Sequence, residues 1–255
     1  MMSKDTKDDP GKNIAQHQSS SPILPQGEYT DVKLSYVRHL IGKAMAASLS
    51  EATQLTLHAS FDASRIIQIR KQLKEKETAT GVPQATLNDC IVWAVSRTLP
   101  RHPYMNAHFL EDCIRLFSSV HLGVAMDTPR GLLVPTIINA HLKTLEEISQ
   151  EVRVLSNSAQ TGKIDPDLLS GATFTVTNLG ALGIEMFTPI INTPQTGILG
   201  VNAVVERIRT INNALESYPS MGLSLTFDHR ALDGAPAAKF LHDLCETLVG
   251  FSLDS

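Results

Sequence analysis

Four strand-like segments follow one another in the middle of the chain, grouped as two pairs with a turn inside each pair. The pairs are residues 107–110 with 114–117, and residues 120–126 with 132–137. Strands this close in sequence pair as antiparallel hairpins, because a parallel connection needs a crossover of a dozen or more residues. The pattern therefore argues against the regular strand–helix alternation of a doubly wound fold, and it favours a mixed, largely antiparallel sheet.

Amphipathic helices and single strands surround these hairpins. Helices are predicted near residues 34–45, 62–73, 86–99, 144–155 and 235–249, and further strands near residues 55–61, 173–178, 197–205 and 222–228. Thr86 and Thr144 are each followed three residues later by a carboxylate, which is the spacing of a helix capping box. We expect an α+β fold in which helices pack against one sheet.

Composition limits the number of domains and the classes of partner. The chain has 255 residues, 42% of them hydrophobic, which is enough for one large core. Residues 1–30 are polar and lack periodic apolar positions, so we expect a disordered arm followed by a single domain over 31–255. The formal charge of −4 gives no electrostatic reason to expect a nucleic-acid partner.

The cysteines and the apolar segments indicate in which cellular compartment the protein is expected. Cys90, Cys113 and Cys245 are widely spaced, which argues against a disulfide framework or a thiolate metal cage. The N-terminal segment lacks the apolar centre of a secretory signal. No apolar stretch approaches the roughly 18 residues that span a bilayer. We therefore expect a soluble, cytoplasmic protein without a membrane partner.

The run from Ser224 to Gly234 is the first candidate for chemistry. It predicts a strand that ends in His229, followed four residues later by Asp233 and a helix. An imidazole fixed at such a junction can act as a general base on a thiol or hydroxyl. Asp228 and Arg230 on either side suggest an ion pair that fixes the junction. His229 and Asp233 alone provide too few ligands for a metal site, so none is expected.

A second candidate segment runs from Gly171 to Gly183. Thr173, Thr175 and Thr177 alternate along one face of the predicted strand. With the His-x-x-x-Asp-Gly spacing of His229 and Asp233, the two segments resemble the catalytic core of dihydrolipoamide acyltransferases of 2-oxo acid dehydrogenase complexes. That family belongs to the chloramphenicol acetyltransferase-like superfamily. Thr177 falls where the family carries a serine whose hydroxyl hydrogen-bonds the oxyanion.

The resemblance implies an activity and a set of residue roles. It implies acyl transfer between dihydrolipoamide and coenzyme A, with His229 as general base, Thr177 as oxyanion donor and Asp233 orienting the histidine. It further implies a homotrimer in which His229 and Thr177 come from different subunits. Ala237 and Ala238 would line the coenzyme A side.

Two departures from the family pattern concern the substrates. Ala44 and Ile138 occupy positions where the family carries basic residues near the coenzyme A phosphates. Residues 31–255 are accounted for by the catalytic domain, and the preceding arm is too short for a lipoyl domain or a peripheral-subunit-binding domain. We therefore expect a separate lipoyl-bearing polypeptide as partner, along with other dehydrogenase-complex subunits, whereas the sequence leaves open whether trimers assemble into a larger core.

Two other interpretations remain open. A stand-alone O-acetyltransferase resembling chloramphenicol acetyltransferase would use the same histidine motif on a hydroxyl acceptor. A catalytically idle trimeric scaffold of a dehydrogenase complex would explain the missing lipoyl domain. Retention of His229, Asp233 and the Thr177 hydroxyl favours an active enzyme over the scaffold.

Overall fold

The computed structural model describes residues 27–253, and the pattern of contacts divides the chain between Leu34 and Ser35. Residues 27–34 lie outside any helix or strand, and their side chains are exposed. The predicted disordered arm at residues 1–30 lies outside the described residues except for its last four. The body of the molecule begins at Ser35.

Within the described residues 35–253, the body contains five helices and eight strands. The helices are α1 Tyr36–Glu51, α2 Ser64–Thr80, α3 Leu87–Thr98, α4 Leu145–Gln160 and α5 Gly234–Val249. The strands are β1 Gln54–Asp62, β2 Ala107–Phe109, β3 Ile114–Leu116, β4 Leu122–Val124, β5 Thr136–Ile137, β6 Phe174–Asn178, β7 Gly197–Ile211 and β8 Ala214–Asp228. Short 3₁₀ turns cover Leu99–Arg101, Ala140–Leu142, Pro166–Leu169 and Gly180–Leu182.

Six of the strands form one mixed sheet in the order β1-β8-β7-β6-β4-β5, and β2 and β3 form a separate hairpin. The β1/β8, β8/β7 and β4/β5 pairs are antiparallel, whereas β7/β6 and β6/β4 are parallel. The predicted α+β class with a mixed sheet is confirmed. Both predicted hairpins are present, with shorter strands than the sequence indicated.

The two faces of the sheet differ in chemistry. One row across the helix-covered face joins Leu57, Leu225, Leu199 and Val176 on four adjacent strands, and these side chains belong to the hydrophobic core. The opposite face carries small polar residues, among them Thr226, which is buried and hydrogen-bonded to Thr56 of β1 at 2.8 Å. The candidate oxyanion donor lies on this polar face.

The sequence underestimated the length of β7 and β8. The strands were predicted to cover 197–205 and 222–228, but they continue as one long antiparallel hairpin to a turn at Asn212 and Asn213. Both asparagines have left-handed backbone angles, with φ of 50° and 63°. Asparagine tolerates this conformation better than most residues, so an Asn-Asn dipeptide between alternating segments was a usable hairpin signal.

Helix ends follow the capping chemistry read from the sequence. Thr86 and Thr144 both form complete capping boxes, at α3 and α4. Asp62 accepts a hydrogen bond from the backbone of Ser64 at 2.9 Å, although Ala63 holds the N-cap position of α2. Helix α1 begins at Tyr36, two residues after the predicted Leu34. Among the described residues, no helix combines the length and the apolar character needed to cross a bilayer.

Candidate active site

His229 directly follows the last residue of β8 and is held there by the main chain. Its backbone N–H donates to the carbonyl of Thr53, just before β1, at 2.8 Å. The imidazole lies 5.6 Å from the ring of Phe227, and 41% of the side chain is exposed. The backbone is therefore fixed while the ring is open to a substrate.

Asp228 and Arg230 form the ion pair that the sequence suggested. The guanidinium donates to both carboxylate oxygens, with Nη2 at 2.6 Å from Oδ2 and Nε at 3.0 Å from Oδ1. Asp228 is 1% exposed, and Arg230 also lies over the ring of Phe109 at 4.2 Å. The hydrogen bond to Asp228 raises the pKa of Arg230. This pair locks the residues on both sides of His229.

Asp233 is less firmly connected than the sequence indicated. It occupies the N-cap position of α5, but its side chain accepts no capping hydrogen bond. Its Oδ1 lies 3.9 Å from Nδ1 of His229, and its side chain is 87% exposed. At this distance and exposure the carboxylate contributes a weak, screened attraction to the imidazole.

Thr177 lies near the end of β6, on the same face as Thr175. Thr175 is buried and donates to Oε1 of Gln195 at 2.7 Å. Thr173, before the strand, donates to Oδ1 of Asn106 at 2.6 Å. Thr177 is half-buried, and within residues 27–253 its hydroxyl has no hydrogen-bond partner. Its hydroxyl is therefore the one of these three that is available to a ligand.

Within one chain the structure does not bring His229 and Thr177 together. Thr177 pairs with Gly200 on β7, and Gly200 pairs with Ser224 on β8. His229 lies five residues after Ser224, just beyond the end of β8. With strands about 4.8 Å apart and a rise of roughly 3.3 Å per residue, the two α-carbons are about 19 Å apart. One protomer therefore cannot apply both side chains to the same reacting atom.

A cavity of about 420 Å³ opens beside the N-terminal turn of α5. Its lining includes the cations Arg101 and Lys239 together with apolar groups such as Tyr104 and Pro236. The combination of two cations with an apolar wall suits a ligand that has both phosphates and a hydrophobic portion.

The two alanines expected on the coenzyme A side differ in accessibility. Ala238 is exposed, next to the cavity residue Lys239. Ala237 is fully buried in the core, so its side chain offers no surface to a ligand in this structure. Of the two predicted contacts, only the one at Ala238 has an accessible side chain.

Two side-chain partnerships of histidines were not foreseen. His102 lies 3.0 Å from Asp243, and burial lowers the His102 pKa although the carboxylate acts to raise it. His58 lies 2.9 Å from the hydroxyl of Ser224, to which Asn202 also donates. The partners are 141 and 166 residues apart, so no local motif could have indicated them.

The cysteines are poor candidates for a nucleophile. Burial raises the pKa of the Cys90 thiol to about 12 and that of Cys245 to about 11. A thiol so protonated at neutral pH does not attack a thioester. Cys113 is exposed, on the turn between β2 and β3.

The comparisons with known proteins agree with this geometry. Residues 26–253 match the family model of 2-oxoacid dehydrogenases acyltransferase (catalytic domain). The chain belongs to this family. It is 35% identical over 237 residues to the dihydrolipoyllysine-residue acetyltransferase component of the acetoin cleaving system of Bacillus subtilis, covering 92% of this chain and 59% of that protein. The chain thus spans about half to three fifths of the length of the curated relatives it matches.

Two solved structures of family members resemble the fold over nearly the whole chain. The Azotobacter vinelandii dihydrolipoamide acetyltransferase is 28% identical, with a TM-score of 0.84, and the match covers 96% of this chain and 97% of that one. The cubic core of a pyruvate dehydrogenase multienzyme complex is also 28% identical, with a TM-score of 0.83 and the same coverage. The expected family and fold are confirmed.

Proposed function

We propose that this chain catalyses acyl transfer between coenzyme A and dihydrolipoamide, at sites shared by adjacent subunits of a trimer. The observation that carries the proposal is the placement of an accessible imidazole and an unpartnered hydroxyl at opposite ends of the sheet strands. A site built from one protomer would leave each of them without the other. Contact between neighbouring protomers supplies the missing half to each.

A solved family member supports the proposed catalytic roles of Thr177, His229 and Asp233. The study of the Azotobacter vinelandii enzyme names a serine, a histidine and an asparagine in its catalytic mechanism. Thr177 and His229 are separated by the same number of residues as that serine and histidine. Asp233 follows His229 at the same interval as the asparagine follows the histidine. The residue types differ at two positions, and both substitutes remain polar.

In the proposed reaction, His229 accepts the proton of the acceptor thiol. A thiol with a pKa near 8.5 is only a few per cent ionised at pH 7, so a positioned base raises the fraction of thiolate. The thiolate of dihydrolipoamide attacks the carbonyl carbon of acyl-coenzyme A, and a new carbon–sulfur bond forms. The tetrahedral intermediate collapses, the bond to the coenzyme A sulfur breaks, and the imidazolium returns the proton to that leaving sulfur. The reverse direction uses the same groups.

Thr177 is proposed to stabilise the intermediate. Its hydroxyl donates a hydrogen bond to the oxygen that becomes negative when the carbonyl is attacked. The neighbouring hydroxyls of Thr173 and Thr175 are already donated to Asn106 and Gln195. The supporting feature is therefore that Thr177 alone of the three keeps its donor for a substrate.

Coenzyme A is proposed to bind in the cavity beside α5. Arg101 and Lys239 would pair with its phosphates, and Tyr104 with Pro236 would contact its apolar portion. We infer these cations for the phosphate contacts because Ala44 and Ile138, where the family pattern has basic residues, provide none. Ala238 lies beside Lys239 on the exposed face of α5. That the lipoyl group arrives on another polypeptide stays a prediction, as does a cytoplasmic location.

A subunit-mixing experiment tests the shared site. His229→Ala and Thr177→Val proteins are each expected to lose most acyl transfer from acetyl-coenzyme A to free dihydrolipoamide. Trimers reassembled from equal amounts of the two regain sites with one intact His229 and one intact Thr177, about a quarter of all sites if mixing is random. Each variant reassembled with itself is the matched control. Failure of the mixed trimers to exceed both controls would contradict the shared site.

The same acyl-transfer assay distinguishes a thiol acceptor from a hydroxyl acceptor. Dihydrolipoamide and a panel of alcohols are compared as acceptors with the unchanged chain. Transfer to the dithiol and not to the alcohols is expected. Wild-type-like turnover by His229→Ala would contradict the proposed role of His229 as the base. Calorimetry of coenzyme A binding distinguishes an active enzyme from an idle scaffold, because an idle scaffold should not bind coenzyme A.

A further inference from the structure

The cavity beside α5 has a histidine in its wall. His102 lines it together with Arg101 and Lys239. The side chain of His102 is 9% exposed, and its ring packs edge-on against Phe240 of α5 at 5.4 Å. The imidazole is therefore largely shielded from water, and it lines the same cavity as the two cations proposed for the coenzyme A phosphates.

One ring nitrogen of His102 is bound to Asp243 of α5. Nε2 lies 3.0 Å from Oδ2 of this carboxylate. An ionised carboxylate only accepts hydrogen bonds, so Nε2 carries a hydrogen in both the neutral and the charged ring. Within residues 27–253, Nδ1 has no hydrogen-bond partner, and it is not fully buried. A second proton therefore binds at Nδ1 and leaves the hydrogen bond to Asp243 intact.

The charge state of His102 depends on groups from two elements packed around it. Burial disfavours the imidazolium, and so does repulsion from Arg101 and from Lys239 on α5, whereas Asp243 favours it. Together these influences lower the pKa of His102 below its ordinary value of 6.5, with burial as the largest cause. Before a ligand binds, the ring is therefore mostly neutral at pH 7.

A phosphate bound between Arg101 and Lys239 changes this balance. Its negative charge offsets the repulsion that the two cations exert on an imidazolium, and it attracts the imidazolium directly. Salt screens such an attraction weakly, because the His102 side chain is largely buried. A bound phosphate therefore raises the pKa of His102.

We propose that His102 becomes a third cation for the phosphates of coenzyme A by taking up a proton as the coenzyme binds. This inference rests on the proposed function and adds a proton linkage to its coenzyme A site. Linkage is reciprocal, so the proton strengthens coenzyme binding by the same factor as the coenzyme strengthens proton binding. Coenzyme A should therefore bind more tightly below about pH 6.5, the ordinary pKa of histidine, than at pH 8.

The test measures binding of dephospho-coenzyme A by calorimetry. This probe keeps the diphosphate but lacks the phosphomonoester of coenzyme A, a group whose second pKa is about 6 and would add its own proton. Titrations in two buffers of different ionisation enthalpy give the number of protons taken up. For the unchanged chain we expect net proton uptake near pH 6, and a Kd at pH 5.5 about fivefold below that at pH 8.

Three variants assign the proton to His102. His102→Gln keeps an N–H donor for Asp243 and cannot be protonated, so it should lose both the proton uptake and the pH dependence of Kd. Asp243→Asn removes the charge that favours the imidazolium and should shift the gain in affinity to lower pH. His242→Gln is the matched control, because His242 is exposed on α5 and does not line the cavity; it should behave like the unchanged chain.

A kinetic measurement distinguishes a binding role from a general structural one. In acyl transfer from acetyl-coenzyme A to free dihydrolipoamide, His102→Gln should retain kcat at both pH values. Its KM for acetyl-coenzyme A should exceed that of the unchanged chain at pH 5.5 and equal it at pH 8. A fall of kcat at both pH values would contradict the proposed role of His102.

The outcomes separate this inference from the proposed function. If the unchanged chain transfers acetyl but binds the probe without proton uptake, or if His102→Gln keeps the uptake, the linkage is wrong and the acyltransferase function stands. A chain that neither binds coenzyme A nor transfers acetyl would overturn both. Circular dichroism of each variant is measured first, and if His102→Gln does not fold, the pH dependence of Kd in Asp243→Asn decides.

Discussion

The residues around the candidate active site differ in how strongly hydrogen bonds and burial fix their side chains. Asp228 is buried and bound through both oxygens by Arg230, whereas Asp233 is almost fully exposed and lies 3.9 Å from the imidazole. The main-chain bond from His229 to Thr53 fixes the strand end as well. The position of His229 therefore depends more on Asp228, Arg230 and the backbone than on the aspartate of the recognisable motif.

The first residue-scale prediction concerns the hydroxyl of Thr177. Thr177→Val keeps the shape of the side chain and removes the donor, so we expect kcat for acyl transfer to fall by about 100- to 1000-fold. Thr177→Ser restores the hydroxyl and should retain activity within about tenfold of the unchanged chain. The measurement is kcat with saturating acetyl-coenzyme A and dihydrolipoamide. Equal rates for the two variants would remove Thr177 from the mechanism.

The second residue-scale prediction concerns the ion pair of Asp228 and Arg230 beside His229. Arg230→Met leaves the buried Asp228 carboxylate without its cation. Because the Arg230 side chain is 36% exposed and water can partly take its place, the free energy of unfolding should fall by about 2 kcal/mol. Arg209→Met is the control, because Arg209 is 42% exposed and pairs with Asp62 at the surface; it should cost about 1 kcal/mol or less. Urea unfolding at pH 7 measures both. Similar losses of unfolding free energy in the two variants would show that the burial of Asp228 does not determine the effect of removing Arg230.

At the scale of elements, local chemistry decided where helices and turns occur. The capping boxes of α3 and α4 use hydrogen bonds between residues three apart, so their sequence spacing was sufficient to find them. The long hairpin of β7 and β8 depends on a two-residue turn in which both asparagines adopt a left-handed backbone. Only a few residue types reach that conformation without a steric penalty.

The prediction for this element is a pair of substitutions at Asn213. Asn213→Ala keeps the β-carbon but removes the short polar side chain whose local hydrogen bonding makes φ of 63° tolerable, so the free energy of unfolding should fall by about 1 kcal/mol. Asn213→Gly relieves the same restriction and should leave stability unchanged or slightly higher. Thermal unfolding of the two variants beside the unchanged chain measures the difference. A stability order with alanine above glycine would contradict the left-handed turn.

At the scale of the whole molecule, a half-buried histidine, His121, links stability to pH. Burial lowers the pKa of His121 below its ordinary value of 6.5, and the nearby His141 lowers it further. Nδ1 of His121 accepts a hydrogen bond from the backbone N–H of Asn139 at 3.0 Å. Protonation at Nδ1 would break that bond. The imidazole is therefore required in its neutral form at the start of β4.

The sign of the resulting pH dependence follows from linkage. Because the folded-state pKa of His121 lies below the unfolded value, the unfolded chain takes up the proton first. The stabilising contribution is present above about pH 6.5 and is lost as the pH falls through the folded-state pKa. His121→Asn keeps an acceptor that does not titrate, so its stability should fall less between pH 7 and pH 5. Equal slopes for variant and unchanged chain would contradict the assignment.

The sequence determined the elements of this protein and the identity of its candidate catalytic groups. Alternation, helical periodicity, capping boxes and the His229 motif are all patterns within a few residues, where backbone geometry and neighbouring side chains dictate the conformation. The two short hairpins, the N-terminal ends of α3 and α4 and the Asp228–Arg230 pair were predictable for that reason. The family resemblance likewise rested on short segments along the chain, chiefly the His229 motif and the strand that carries Thr177.

Only the tertiary structure decided which distant residues meet. The strand order β8-β7-β6 places His229 and Thr177 about 19 Å apart in one chain, brings His102 to Asp243, and sets the ring of Phe187 against Gly200 beside Thr177. It also buries Ala237 and leaves Ala238 exposed. No local pattern encodes such contacts, because they depend on which strands pair and in what register. Local sequence thus specified the parts of the site, and strand pairing specified their distances.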